Sequence, residues 1–251
     1  MYPSFPLLYH AHHSLHPEDI PFWLELSAQQ GDPILELGCG TGRVLLPLAQ
    51  AGHRVVGFDR DRDMLQILVR NLPAVQPARV SIFQADVEHF RLDLRFALII
   101  FPCNTLSTLF PAVRAVLLQR AAQHLLPGGI FAASIPNPLL LKRLPRRMES
   151  QVEEVFPHPL DGEPVQVSSA WQRFENRFVV DWHYDHLMPD GRVQRVSSRV
   201  EHDLASPDVY IKALESAGLE LAGEYGDYDR SPFTRTAPFW IFLAKKKQPA
   251  A

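Results

Sequence analysis

Cysteine is nearly absent from this chain of 251 residues, which carries only Cys39 and Cys103. Two cysteines cannot build a disulfide framework, and both lie beside apolar runs, so they read as small buried thiols lining a pocket. A basic excess is missing too: 25 Lys and Arg face 28 Asp and Glu, for a formal net charge of −3. That balance argues against nucleic acid as the main partner. The one lysine cluster, Lys245-Lys246-Lys247, reads as a solvated tail. No apolar run has the length of a membrane span, and no basic segment leads into an apolar stretch at the start. A cytoplasmic, reducing setting without a membrane partner is therefore expected. Metal-ligand spacing is also lacking, since His12-His13, or His183 and His186, do not make a ligand set alone, and no metal is expected.

The composition itself is that of a globular protein, 46% hydrophobic and 21% charged. A full-sized core can form, in one large α/β domain or a core with a smaller embedded unit. Residues 1–16 look irregular, and Pro17-Glu18-Asp19 opens a helix to about Gln30. Strands are expected at about Pro33–Leu37, Arg54–Phe58, Val80–Gln84, Phe96–Phe101 and Ile130–Ile135. Helices fall between them at Arg43–Ala51, Arg62–Asn71 and Pro111–Leu126, the last stopped by Pro127-Gly128-Gly129. Pro47 should bend its helix or remove a hydrogen bond. This alternation implies a parallel sheet covered on both faces. After Pro136 the pattern changes to an antiparallel meander, Val165–Phe174, Arg177–Leu187 and Arg192–Leu204, turned at Glu175-Asn176 and Pro189-Asp190-Gly191. A helix at Pro207–Ala217 and strands at Leu219–Tyr225 and Pro238–Ala244 close the chain. Four segments follow: 1–32 as N-terminal segment and helix, 33–136 as core, 137–204 as antiparallel insertion, and 205–251 completing the core sheet.

The most informative stretch is Ile34-Leu35-Glu36-Leu37-Gly38-Cys39-Gly40-Thr41-Gly42-Arg43. A buried strand, three alternate glycines and a helix start make a nucleotide-type pocket at the C-terminal edge of a sheet. Carboxylates recur at successive strand ends: Glu36, Asp59 and Asp86. Asp59 stands 17 residues beyond Gly42, where an acid can take both ribose hydroxyls of an adenosine cofactor. Asp86 can accept from the adenine amino group while Val87 packs on the ring. A lone strand-end Asp also reads as a helix N-cap; three in register with a glycine turn favour binding.

Glu36-Leu37-Gly38-Cys39-Gly40-Thr41-Gly42 resembles the first motif of class I S-adenosylmethionine (SAM)-dependent methyltransferases, and Val56-Gly57-Phe58-Asp59 with Asp61 to Met64-Leu65 is similar to their second. Asp86, the strand Phe96–Phe101 and Leu126-Pro127-Gly128-Gly129 match in order and spacing. The resemblance implies a Rossmann-like, seven-stranded, mostly parallel sheet with helices on both faces, its last strand antiparallel, plus the inserted antiparallel β lid. It implies SAM as cofactor and S-adenosylhomocysteine as product. Gly38, Cys39, Gly40 and Gly42 would border the methionine moiety beside Glu36, with Arg43 on its carboxylate and Asp59 on the ribose. Arg60, Met64, Asp86 and Val87 would surround adenine, although Met64 fits an ordinary core position equally well. Tyr9, Pro102 and Asn104 would complete the cofactor site. The segment Pro102 to Leu106 lacks the Asn/Asp-Pro-Pro-Tyr/Phe tetrad of enzymes that methylate DNA or protein amides, which favours a small-molecule nitrogen or oxygen nucleophile.

Methyl transfer is an in-line displacement in which alignment supplies much of the rate, and a base is needed only for a protonated nucleophile. Tyr184, His183 and Tyr225 are the catalytic candidates, with Tyr9, His10, His186 and Arg199 as further polar groups. Alternation puts Trp182, Tyr184 and His186 on one strand face and Asp181, His183 and Asp185 on the other. The insertion is expected to form a lid or a dimer surface, in a monomer or homodimer. The competing readings are a nucleotide-dependent oxidoreductase, disfavoured by glycine spacing unlike G-x-G-x-x-G, and a non-catalytic SAM-binding protein.

Overall fold

The computed structural model describes residues 4–72 and 79–247. In chain order the first elements are α1 (Ser4–His13), α2 (Ile20–Gln30), β1 (Ile34–Leu37), α3 (Leu45–Gln50), β2 (Val55–Asp59), α4 (Arg62–Asn71), β3 (Val80–Gln84) and β4 (Phe96–Phe101). Then come α5 (Pro111–His124), β5 (Leu125–Pro136), α6 (Pro138–Leu141), β6 (Arg147–Pro157), β7 (Pro164–Arg173), β8 (Arg177–Leu187), β9 (Val193–Asp203), α7 (Pro207–Ser216), β10 (Leu219–Tyr225) and β11 (Phe239–Lys246). Seven strands form one sheet in the order β10-β11-β5-β4-β1-β2-β3. The pairs β4–β5, β4–β1, β1–β2 and β2–β3 are parallel, and β11 runs antiparallel to both neighbours. This is the expected Rossmann-like sheet.

Alternation along the strands divides the core in two. Leu35, Leu37, Phe58, Ile99, Phe101 and Phe131 pack on one face with residues of α5 and α7. Ile34, Val55, Leu98, Ile100 and Ala132 pack on the other with α2, α3 and α4. Each fully buried Phe or Leu contributes roughly 1.5–3 kcal/mol, so the central strands, buried on both faces, are the most firmly held.

Several expectations are corrected. The stretch expected to be irregular contains the helix α1; Met1 to Pro3 lie outside the described residues. Helix α3 begins at Leu45, so Pro47 lies in its first turn, where a missing N–H costs little, and does not bend a longer helix. Pro127-Gly128-Gly129 does not separate helix from strand, because α5 ends at His124 and β5 already includes that tripeptide. The register with β4 jumps from Leu125 opposite Phe96 to Ile130 opposite Leu98, so the tripeptide is absorbed as a bulge.

The second sheet has four antiparallel strands, β6-β7-β8-β9, one more than expected. Its added edge strand, β6, is mostly exposed and acidic. One face of this sheet packs on α1, where Leu8 meets Phe156, Val165, Val167 and Tyr184. The opposite face carries two bidentate ion pairs, Arg199 on Asp181 at 2.7 and 2.9 Å and Arg195 on Asp185 at 2.6 and 2.7 Å. Among the described residues no helix is long and apolar enough to cross a membrane.

Candidate active site

Strand order reverses between β1 and β4, and the C-terminal ends of β1, β2 and β4 converge there on the glycine turn. Asp59, at the end of β2, accepts the Gly40 N–H on one carboxylate oxygen and the Asp61 N–H on the other, each at 2.8 Å. Burial raises its pKa, and those two N–H donors oppose the rise. Asp61 in turn caps α4, accepting from the Asp63 and Met64 N–H groups.

The glycines divide by role. Gly40 adopts φ +51°, and a Cβ there would meet only Asp59 Oδ2, 3.9 Å away, so the space above this turn is open to a ligand. At Gly42 a Cβ would lie 2.1 Å from Leu68 Cδ1. At Gly42 the space a side chain would take is thus filled by Leu68 of α4. Cys39 is likewise turned inward: its Sγ packs beneath the turn, against Gly57. Cys103 is exposed, so the expectation of a buried thiol holds for Cys39 and fails for Cys103.

Glu36 is buried at 2% exposure, and its Oε2 has no hydrogen-bond partner among the described residues. Burial raises its pKa well above the usual carboxylate range; Arg43 lowers it, while Asp19 and Asp59 add to the rise. A buried carboxylate with an idle oxygen beside an open glycine turn suits a ligand that brings N–H donors and positive charge. The amino acid end of SAM has that character, and Asp59 supplies acceptors for ribose hydroxyls. The residues present therefore fit the expected cofactor.

Arg43 has a different partner from the one expected. Its terminal nitrogens grip Asp19 at 2.6 and 2.7 Å, and donate to the His16 carbonyl at 3.0 Å and to Cys103 Sγ at 3.1 Å. That leaves Nε as the guanidinium's remaining donor, so Arg43 braces the start of α2 against the turn after β4. Asp19 also accepts from Trp23 Nε1. In sequence Asp19 is only a helix-start acid, and nothing local points to a partner 24 residues away.

After β4, Cys103 and Asn104 both sit in the left-handed region, at φ 61° and 63°. For two consecutive non-glycine residues this costs about 1–3 kcal/mol each. The turn is held from the second sheet: Ser107 Oγ donates to the Asn104 carbonyl at 2.8 Å and lies 2.8 Å from His202 Nδ1. Burial pushes the His202 pKa down to about 4, so the ring is neutral. Asn104 Oδ1 is buried without a partner among the described residues. Pro102 is buried beside it.

The N-terminal helix lies over this site. His10 Nδ1 contacts Thr41 Oγ1 of the glycine turn at 3.0 Å, and Asn71 Nδ2 of α4 donates to His10 Nε2 at 2.9 Å. Burial raises the hydroxyl pKa of Tyr9. Its ring lies 4.1 Å from that of His13, whose pKa burial pushes down to about 3. Beyond β2, Arg60 is exposed and its carbonyl accepts from Gln84, Met64 is half-buried, Asp86 accepts the Glu88 N–H, and Val87 packs on the core.

Of the catalytic candidates, only Tyr184 faces α1: its hydroxyl lies 3.0 Å from His12 Nδ1, and His12 Nε2 lies 2.7 Å from Glu154. His183 points to the opposite face of β8, where it meets Ser197 at 2.8 Å. That face bears the Arg195 and Arg199 ion pairs, so His183 is withdrawn. Tyr225 ends β10, four strand positions from β1, or roughly 19 Å at about 4.8 Å per strand. Its ring packs on Phe22 at 5.9 Å, and it too is withdrawn. Tyr228, which is not among the candidates, lies within electrostatic reach of Asp19, Cys103 and Arg43, and its hydroxyl donates to Ser134 Oγ at 3.1 Å.

Comparison with known proteins agrees with this arrangement. The family described as Methyltransferase domain matches residues 34–129. The chain is 31% identical over 205 residues to the cypemycin N-terminal methyltransferase of a Streptomyces species, covering 81% of this chain and 79% of that protein. It is 25% identical over 232 residues to the putative methyltransferase YqeM of Bacillus subtilis, 90% of this chain and 89% of the relative. An S-adenosylmethionine-dependent methyltransferase from Clostridium acetobutylicum shares the fold at a TM-score of 0.81 and 15% identity, over 96% of this chain and 98% of that one. The oxidoreductase reading is thereby displaced, and the chain belongs to the class I SAM-dependent methyltransferases.

Proposed function

We propose that this methyltransferase acts on a small molecule bearing a nitrogen or oxygen nucleophile, which reaches the donor between the glycine turn and the second sheet, beneath α1. The observation that carries this reading is the position of α1, joined to Thr41 and Asn71 on one side and packed on Tyr184, Val165 and Val167 on the other. A helix in that place narrows access to the strand ends and excludes water, which suits a compact acceptor better than a folded macromolecule. The relative named for N-terminal methylation acts on an amine, which supports nitrogen as the nucleophile.

SAM supplies an electrophilic methyl group on a sulfonium sulfur. In this reading Glu36, Gly38 and Gly40 hold its methionine end, Asp59 the ribose, and Arg60, Met64, Asp86 and Val87 the adenine. Tyr9, Pro102 and Asn104 border the methyl end, and Tyr184, fixed by His12, walls the acceptor side. The neutral rings of α1 add no charge that would repel a sulfonium.

Three results follow. Asp59→Ala weakens SAM binding by roughly 1.5–3 kcal/mol, the loss of hydrogen bonds to a charged group; calorimetry on a folded variant with unchanged affinity rejects the ribose role. His10→Ala, which frees α1 from Thr41, speeds S-adenosylhomocysteine release by about 2- to 12-fold, the equivalent of one net hydrogen bond; stopped-flow release at the wild-type rate removes α1 from the donor site. Tyr184→Phe lowers turnover more than SAM affinity, measured as methyl transfer to a panel of amines, phenols and carboxylates. Equal turnover on the acceptor that responds best takes Tyr184 out of the site, and transfer to none of the panel by the wild-type protein counts against a small acceptor.

A further inference from the structure

His12, His16 and Glu154 meet where the end of α1 and the turn after it touch β6. Glu154 Oε1 lies 2.7 Å from His12 Nε2 and 2.9 Å from His16 Nε2. We propose that this cluster is a divalent transition-metal site of the two-histidine, one-carboxylate kind, with zinc as the natural class of ion, and that the ion pins α1 to the second sheet.

The geometry supports it on three counts. Donor atoms around a tetrahedral ion at about 2.0–2.1 Å stand roughly 3.3 Å apart; Glu154 Oε1 needs only a small outward shift from each histidine, and all three donor atoms lie within 4.8 Å of one another. The two imidazoles are 5.6 Å apart and nearly perpendicular, at 83°, which lets their lone pairs converge on one centre. His12 also has the outer partner that a ligating histidine needs: Tyr184 sits 3.0 Å from its Nδ1. Proton balance is simple. As the ion takes each Nε2, the ring proton moves to Nδ1, where His12 donates to the Tyr184 oxygen and His16 faces Glu18 at 3.9 Å. His16 and Glu154 remain partly exposed, at 51% and 24% for their side chains, so an ion has a way in and room for a further ligand.

Two other clusters among the described residues are poorer. His158 and His186 stack 3.9 Å apart at 12°, so their lone pairs run parallel and do not converge. Asp86, Glu88 and His89 lie on one turn, and Asp86 is already bonded to the Glu88 N–H.

The test is titration of the metal-free full chain with Co²⁺, read by visible absorption, and with Zn²⁺, read by calorimetry. The expected result is one ion per chain, with affinity reduced at least 10-fold in His16→Ala and in Glu154→Gln and unchanged in His158→Ala. Far-ultraviolet circular dichroism checks that each variant is folded. Absence of binding by the wild-type chain overturns the proposal. So does binding that survives both His16→Ala and Glu154→Gln, or that is lost in His158→Ala.

Discussion

Arg43→Ala is expected to lower folding stability by roughly 3–5 kcal/mol, the cost of leaving a buried charge without its partner. Asp19 is 5% exposed, and the bidentate guanidinium is its counter-charge. The same substitution releases the His16 carbonyl and Cys103 Sγ, so the turn after β4 loses one of its braces. Arg43→Lys keeps a charge without the fork, and is expected to recover only part of the loss. Urea unfolding measures all three proteins. A change below about 1 kcal/mol for Arg43→Ala, the value of a surface pair, removes the brace from the account.

Glu36→Gln is expected to move two quantities in opposite directions. It weakens binding of S-adenosylhomocysteine by about 2–5 kcal/mol, the usual loss when one member of a buried charge pair is removed. It also stabilises the free protein, because a buried acid with an idle carboxylate oxygen is a liability that an amide lessens. The pH dependence carries the sign. The folded-state pKa of Glu36 is raised above its ordinary value of 4.5, so between those two values the unfolded chain holds fewer protons than the folded one. Stability of the free wild-type protein therefore falls as pH rises from about 4.5 through the raised value. Glu36→Gln is expected to lose that downward slope. Binding a cation beside Glu36 favours the ionised form, so ligand uptake releases protons, seen as a buffer-dependent heat in calorimetry. A variant with wild-type affinity and an unchanged pH slope removes Glu36 from the donor site.

The core sheet was legible in the sequence because its strands are short, apolar and buried on both faces, and because glycines and acids punctuate their ends. Glu36 and Asp59 stand at β-strand ends for that reason, and a pattern within a few residues reveals it. The parts that were not legible depend on distant partners. The segment Ser4–His13, with Pro6 and three histidines near its end, has little intrinsic helix signal; it forms α1 against Val165, Val167 and Tyr184. The acidic run of β6 lacks the apolar alternation of a half-buried strand, since most of its side chains face solvent at a sheet edge. Arg43 was assigned to the cofactor because Asp19 is close only after folding. His12, His16 and Glu154 show no ligand spacing in sequence, since the third member comes from a strand 138 residues beyond His16. Strand alternation correctly separated Tyr184 from His183, but could not say which face α1 would cover.

The central claim is that the donor lies on Gly38 to Gly40 between Glu36 and Asp59, with α1 across it. A crystal structure of the full chain with S-adenosylhomocysteine tests this most directly. The account predicts ribose hydroxyls within hydrogen-bond distance of Asp59, the amino group at Glu36 Oε2, and Tyr9 and His10 of α1 over the ligand. A ligand bound away from the glycine turn, or one in place with Glu36 Oε2 still idle and α1 displaced, contradicts it.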